Sequence, residues 1–126
     1  MLAATLPGMP LIYGGQESGL DKRLAFFEKD PVQWKQYGNT PFYTMRLKLK
    51  KDNPALWNGQ YGGDVQVRDV SNDKVLALRR QRGTNTVDVA VNLSSDKQSY
   101  SLPGARAART LAAWDWRITT RPAIAP

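Results

Sequence analysis

Four aliphatic residues, Val87, Val89, Val91 and Leu93, occupy alternate positions with Asp88, Ala90 and Asn92 between them. Side chains on a strand point to opposite faces in turn, so this run commits its segment to a β-strand with one apolar face. The surrounding chain carries turn signals at roughly the eight-to-twelve-residue spacing of antiparallel β-structure. Val65 and Val67 alternate in one strand, Ser71-Asn72-Asp73 makes a turn, and Val75 to Leu78 starts the returning strand of a hairpin. Gly83-Thr84-Asn85 supplies the next turn and Ser94-Ser95-Asp96-Lys97 another, and Pro103-Gly104 closes the strand that carries Tyr100 and Leu102. A last strand is expected with Ala112, Trp114, Trp116 and Ile118 on one face and Ala113, Asp115, Arg117 and Thr119 on the other. Residues 53–120 are thus expected to form an antiparallel β-domain, followed by an unstructured tail over 121–126.

Residues 1–52 have a different character. Met9 to Tyr13 is apolar on consecutive positions, the pattern of a strand buried on both faces, and Gly14-Gly15 stops it. After a polar loop, Thr40 can cap a helix whose first position is Pro41. Phe42, Met45 and Leu49 share a face of that helix, with Tyr43 and Leu47 beside it. Pro54 disfavours helical geometry at Asn53, so the helix should end by Asp52. The basic run Arg46, Lys48, Lys50 and Lys51 is expected on its solvated face. A doubly buried strand followed by an amphipathic helix is half of an α/β unit, and nothing else in 126 residues supplies a parallel sheet. The half-unit is therefore expected to be the remnant of a larger domain.

The chain contains no histidine and no cysteine, which excludes Ser-His-Asp and Cys-His machinery, zincin motifs and thiolate metal sites. Chemistry run on carboxylates is still open to it. The net charge of +7 admits anionic partners. The charges are spread along the chain, however, and no groove-reading motif accompanies them, so no nucleic-acid partner is expected. Leu6 to Tyr13 contains Pro7, Gly8 and Pro10 and falls far short of the roughly 20 apolar residues of a membrane span. It also lacks the basic start of a secretory signal, which leaves the compartment open.

The segment Gly8-Met9-Pro10-Leu11-Ile12-Tyr13-Gly14-Gly15-Gln16-Glu17 resembles the eighth-strand motif of glycoside hydrolase family 13, G-x-P-x-[IVL]-[YF]-x-G-x-E, and matches it at Gly8, Pro10, Ile12, Tyr13, Gly15 and Glu17. Asp21-Lys22-Arg23 and Phe27 to Trp34 look like the family's following loop, and Phe42 to Leu56 like its eighth helix. Val87 to Ser94 and Leu111 to Ile118 resemble two strands of its C-terminal domain. The resemblance implies a mainly β fold: a small antiparallel β-sandwich of the amylase C-terminal type, preceded by a strand-loop-helix remnant of a (β/α)8 barrel. It also implies a parent enzyme acting with retention on α-glucosidic bonds in starch, maltooligosaccharides or related α-glucosides. The family's three catalytic carboxylates lie on the fourth, fifth and seventh barrel strands, and none maps onto this chain. Family members are secreted, periplasmic or cytoplasmic.

Retaining hydrolysis requires two carboxyl groups about 5–5.5 Å apart, one with a raised pKa. Glu17 and Asp21 are the nearest pair in the barrel-like part, but the motif makes Glu17 structural, so no catalytic residue, cofactor or metal is expected. Asp64, Asp69 and Asp73 have no calcium-loop spacing. Arg23 is a candidate contact of the cleft wall, with a structural ion pair as the alternative. Trp57 and Tyr61, in the glycine-rich stretch Trp57 to Gly63, are candidate sugar-stacking platforms. Trp114 and Trp116 are expected to be core, and the acceptor-like Asn92-Leu93-Ser94 to be a chance match. Phe42, Met45, Leu49, Leu11 and Ile12 lack the partners a barrel would give them, so the first part must fold back on the β-domain, pair with another copy or stay poorly ordered. The leading expectation is a non-catalytic accessory segment of an α-glucan-active enzyme; the alternative is an autonomous carbohydrate-binding β-module.

Overall fold

The computed structural model describes residues 1–34 and 36–121. Two α-helices, α1 (Leu2–Thr5) and α2 (Thr40–Asp52), precede six strands: β1 (Val65–Arg68), β2 (Val75–Arg82), β3 (Asn85–Asn92), β4 (Gln98–Tyr100), β5 (Arg109–Leu111) and β6 (Trp116–Arg121). Among the described residues no helix is long and apolar enough to cross a membrane.

The alternating valines form β3, the central strand of an antiparallel sheet ordered β1-β2-β3-β6. Leu78 pairs with Val89 and Val89 with Ile118, so three strands align apolar residues in register. On that face Leu78, Val87, Val89 and Val91 pack with Ala55 and Leu56 of the 3-10 turn Pro54–Leu56, and Leu2, Leu49, Trp116 and Ile118 close around them. On the opposite face Val75, Ala77 and Ala90 pack against Tyr100 of β4 and Leu111 of β5, which pair as a two-stranded ribbon. The fold is mainly β, a small antiparallel sandwich with helices on its outer side. β3 is buried on both faces, Ala90 filling the second core that the valine pattern alone does not reveal.

The turn at Gly83-Thr84 joins β2 to β3 as expected, since Arg82 pairs with Asn85 and leaves a two-residue loop with glycine first. The last strand differs from expectation. Leu111 ends β5, and Ala112 to Asp115 makes a turn in which Asp115 N–H donates to Ala112 O and Trp114 adopts φ +56°. Trp114 is consequently 65% exposed, whereas Trp116 packs on the core. Arg121 belongs to β6, and the rest of the expected tail, 122–126, lies outside the described residues.

Two features of the first part also differ. Met9 to Tyr13 forms no strand, and Met9 and Leu11 are 83% and 84% exposed. A strand needs hydrogen-bonded neighbours, and no strand among the described residues pairs with this one. Helix α2 does end at Asp52, with Asn53 extended and its Nδ2 donating to Leu49 O at 2.8 Å. Its buried face, however, is set by Arg46, Leu49, Lys50 and Asn53, while Phe42, Met45 and Leu47 stay largely exposed. Arg46 is therefore buried, and Lys50 turns inward to donate to Leu56 O at 2.7 Å; only Lys48 and Lys51 of that basic run are solvated. Thr40 opens the helix but the capping position is Asn39, and Pro41 sits in the first turn.

Candidate functional site

The eighth-strand-like segment leads into a single 3-10 turn, Gln16–Ser18. Gly15 enters it at φ +96°, and a Cβ there would lie 2.8 Å from Leu20 Cδ2 and 3.1 Å from Val32 Cγ1, so both dihedral and space require glycine. The turn is docked on the start of α2: Asn39 N–H donates to Glu17 O and Asn39 Nδ2 to Gln16 O, each at 3.1 Å. Tyr13 N–H donates to Gln16 Oε1 at 3.2 Å. Gly8 and Tyr13 are exposed, and Pro10 is half-buried and lines two clefts together with Leu47. Glu17 keeps its Oε2 buried without a hydrogen-bond partner.

Asp21 lines a cleft of about 190 Å³ with Ser18, Gly19, Leu20, Lys22 and Gln33, and Glu17 does not reach it. The two carboxylates are thus not brought together in one cleft. Arg23 is exposed, and it is the adjacent Lys22 that engages the loop's carboxylate, its Nζ 2.6 Å from Asp30 Oδ1. The Lys22 hydrogen bond, and then that from Ala25 N–H, hold the Asp30 carboxyl below the usual range. Among the described residues no group of three His, Cys, Asp or Glu is placed to hold a metal ion.

The glycine-rich stretch is organised by a residue the sequence pattern did not single out. Arg80, fully buried on β2, donates Nε to Gly63 O at 2.8 Å, Nη2 to Trp57 O at 2.8 Å, and Nη1 to Thr5 O and Leu56 O at 3.3 Å. Burial pushes its pKa down, and the charge of Asp64 acts in the opposite direction. Burial, and then the charge of Arg80, lower that of Lys50 as well. An arginine in the same alternation as Leu76 and Leu78 of β2 was the signal available in the sequence. Asn85 adds a second tie, accepting from Ala55 N–H at 2.9 Å and donating to Asn53 Oδ1 and Arg121 O at 3.2 Å.

Around this hub Trp57 is 44% exposed, with Nε1 donating to Lys51 O at 3.0 Å. It lines an open, mainly apolar cleft of about 390 Å³ with Met9, Pro10, Leu47, Lys50, Lys51 and Asn58. Tyr61, in the 3-10 turn Gly59–Tyr61, is exposed and does not line that cleft, so the two candidate platforms are separate surfaces. Asn92, by contrast, is buried with its Nδ2 donating to Asp96 O and Ala112 O, which leaves no free amide for a glycan.

No family model matches the chain. It is 29% identical over 120 residues to the α-amylase MalA of Haloarcula japonica, an alignment covering 90% of this chain and 17% of that protein. Its fold superposes on a debranching enzyme of Nostoc punctiforme with a TM-score of 0.67 at 24% identity, over 93% of this chain and 27% of that one. The chain therefore spans about a sixth of the curated relative and about a quarter of the solved structure. The motif from Gly8 to Glu17 and the match to an α-amylase relate the chain to glycoside hydrolase family 13, the α-amylase family, and the solved structure adds a likeness of fold.

Proposed function

We propose that the chain is the non-catalytic C-terminal part of an α-amylase-type enzyme acting on starch, maltooligosaccharides or related α-glucosides, comprising the last strand, loop and helix of a catalytic barrel (1–52) and a C-terminal β-domain (53–120). The observation that carries this reading is the uneven distribution of apolar surface. Met9, Leu11, Phe26, Phe27, Phe42, Met45 and Leu47 are exposed, while the central strands β2 and β3 carry a buried core on each face. Such a concentration marks a surface built to be covered. Covering it with neighbouring barrel strands and helices would also give Met9 to Tyr13 the strand partners it lacks. In this reading Gly8, Pro10, Tyr13, Gly15 and Glu17 shape the barrel rim, and Arg23 sits on the cleft wall.

The test has two arms. The purified chain should release no reducing sugar from starch or maltoheptaose, and enzyme-like rates would overturn the non-catalytic assignment. Sequencing the DNA upstream of the Met1 codon should reveal an open frame continuing into seven further barrel strands; a stop codon directly upstream in the same frame would overturn the parent-enzyme assignment.

The exposed Trp57 face favours a second reading, an autonomous carbohydrate-binding β-module. Pyranose rings stack on such surfaces, and binding of this kind is insensitive to salt, unlike phosphate binding. Titration with maltoheptaose, followed by tryptophan fluorescence in the parent sequence and in Trp57→Ala, decides it. Saturable quenching lost in the variant supports the module, and no quenching rejects it.

A further inference from the structure

Arg46 is 5% exposed, and neither its Nε nor its Nη2 has a hydrogen-bond partner. Nη1 donates to Phe42 O at 3.0 Å, and the faces of the guanidinium are taken by the Phe42 ring and, at 5.1 Å, by Trp116. Aromatic faces satisfy the charge in part, but they do not accept the in-plane N–H groups. Leaving those N–H groups unmatched in a buried site is costly.

The same protein shows what that edge binds. Arg79 presents its Nε and Nη2 to the two carboxylate oxygens of Asp88 at 2.6 and 2.9 Å. This side-on, two-bond geometry is the strong arginine–carboxylate arrangement. Arg46 offers the same pair of atoms with no hydrogen-bond acceptor opposite. It forms a wall of a cleft of about 250 Å³ between α1, α2 and the segment Pro10 to Ile12, and no acidic side chain lines that cleft. Its rim is apolar, with Leu11 and Leu47 both exposed.

We propose that the Nε/Nη2 edge of Arg46 is a binding site for a single carboxylate, supplied by an acidic side chain of a protein segment laid on this face or by a small free carboxylate. Neither N–H reaches solvent, so entry displaces a neighbour. Phe42, which stacks on the guanidinium and is itself 43% exposed, is the side chain with room to move.

The experiment follows the arginine Nε–H resonances of the uniformly labelled protein. Arg46 is assigned by loss of its peak in Arg46→Leu or, should that variant not fold, by through-space contacts to the Trp116 ring. Sodium acetate and a blocked Leu-Glu-Leu peptide are titrated in turn against sodium chloride at equal ionic strength. A saturable shift of the Arg46 peak with the peptide at lower concentration than acetate supports the site and identifies a protein side chain as its occupant. A shift with acetate alone supports the site and identifies a free carboxylate. No saturable shift with either, or the same shift with chloride, overturns the proposal.

Discussion

Trp57 presents its carbonyl oxygen to Arg80 Nη2 at 2.8 Å while its indole stays at the surface, so the one exposed tryptophan of the glycine-rich stretch is anchored from below by a buried arginine. The same guanidinium holds Thr5, Leu56 and Gly63. Replacing Arg80 by methionine keeps most of the packing volume but takes the donor from the Thr5, Trp57 and Gly63 carbonyls in the interior, while Leu56 O keeps Lys50. A loss of about 3 kcal/mol is expected from urea unfolding, at the upper end for single substitutions because several acceptors lose one donor together.

Gly63 packs directly on β2. A Cβ added there would lie 2.1 Å from Gln81 O, a separation that only backbone movement relieves. Gly63→Ala should therefore destabilise by at least about 2 kcal/mol. Gly38→Ala, where nothing lies within 4 Å, serves as the control and should leave the thermal midpoint nearly unchanged.

Asp30 gives the loop between Gly15 and α2 a pH dependence. Its pKa in the folded protein is held down by Lys22 and Ala25. The ionised carboxylate therefore contributes stability that is complete above its unfolded value, near pH 4, and is lost as pH falls through the lower folded value. Hydrogen exchange at Ala25 N–H, corrected for intrinsic rates, should lose protection only on acidification below about pH 4. Asp30→Asn should show the loosened loop already at neutral pH.

The exposed apolar residues are expected to make the isolated chain self-associate. Light scattering is expected to show a mass that rises with concentration. Leu11→Glu combined with Phe27→Glu should return a monomer with an unchanged urea midpoint, because Leu11 is 84% and Phe27 94% exposed. A wild-type chain that stays monomeric throughout the concentration range would contradict this prediction.

The antiparallel domain was readable where period and punctuation agree. Val87, Val89 and Val91 alternate, Gly83 turns the chain, and Pro54 ends the helix, each by a local steric rule. Local rules failed where a competing contact decided the outcome. Ala112, Trp114, Trp116 and Ile118 keep the strand period straight through a turn, because nothing in the alternation announces that Trp114 takes a left-handed conformation usually left to smaller residues. Helix α2 carries two plausible faces, and the one that meets the sheet is chosen by Leu49, Lys50 and Asn53 reaching the neighbouring 54–56 turn and Asn85, the second of which is distant in sequence. The motif from Gly8 to Glu17 was legible as a string of residues. The clefts around Trp57, Asp21 and Arg46 were not, since each is assembled from segments separated along the chain.

The four carbonyls gathered by Arg80 come from α1, the 54–56 turn and the stretch leading into β1, so the boundary proposed near residue 52 is bridged from both sides. Grafting the β-sheet onto another protein by a cut at that boundary would strip the arginine of its Thr5 acceptor and remove Leu2 and Leu49 from the sheet's outer face. A transplantable unit would have to carry the helical flank with it.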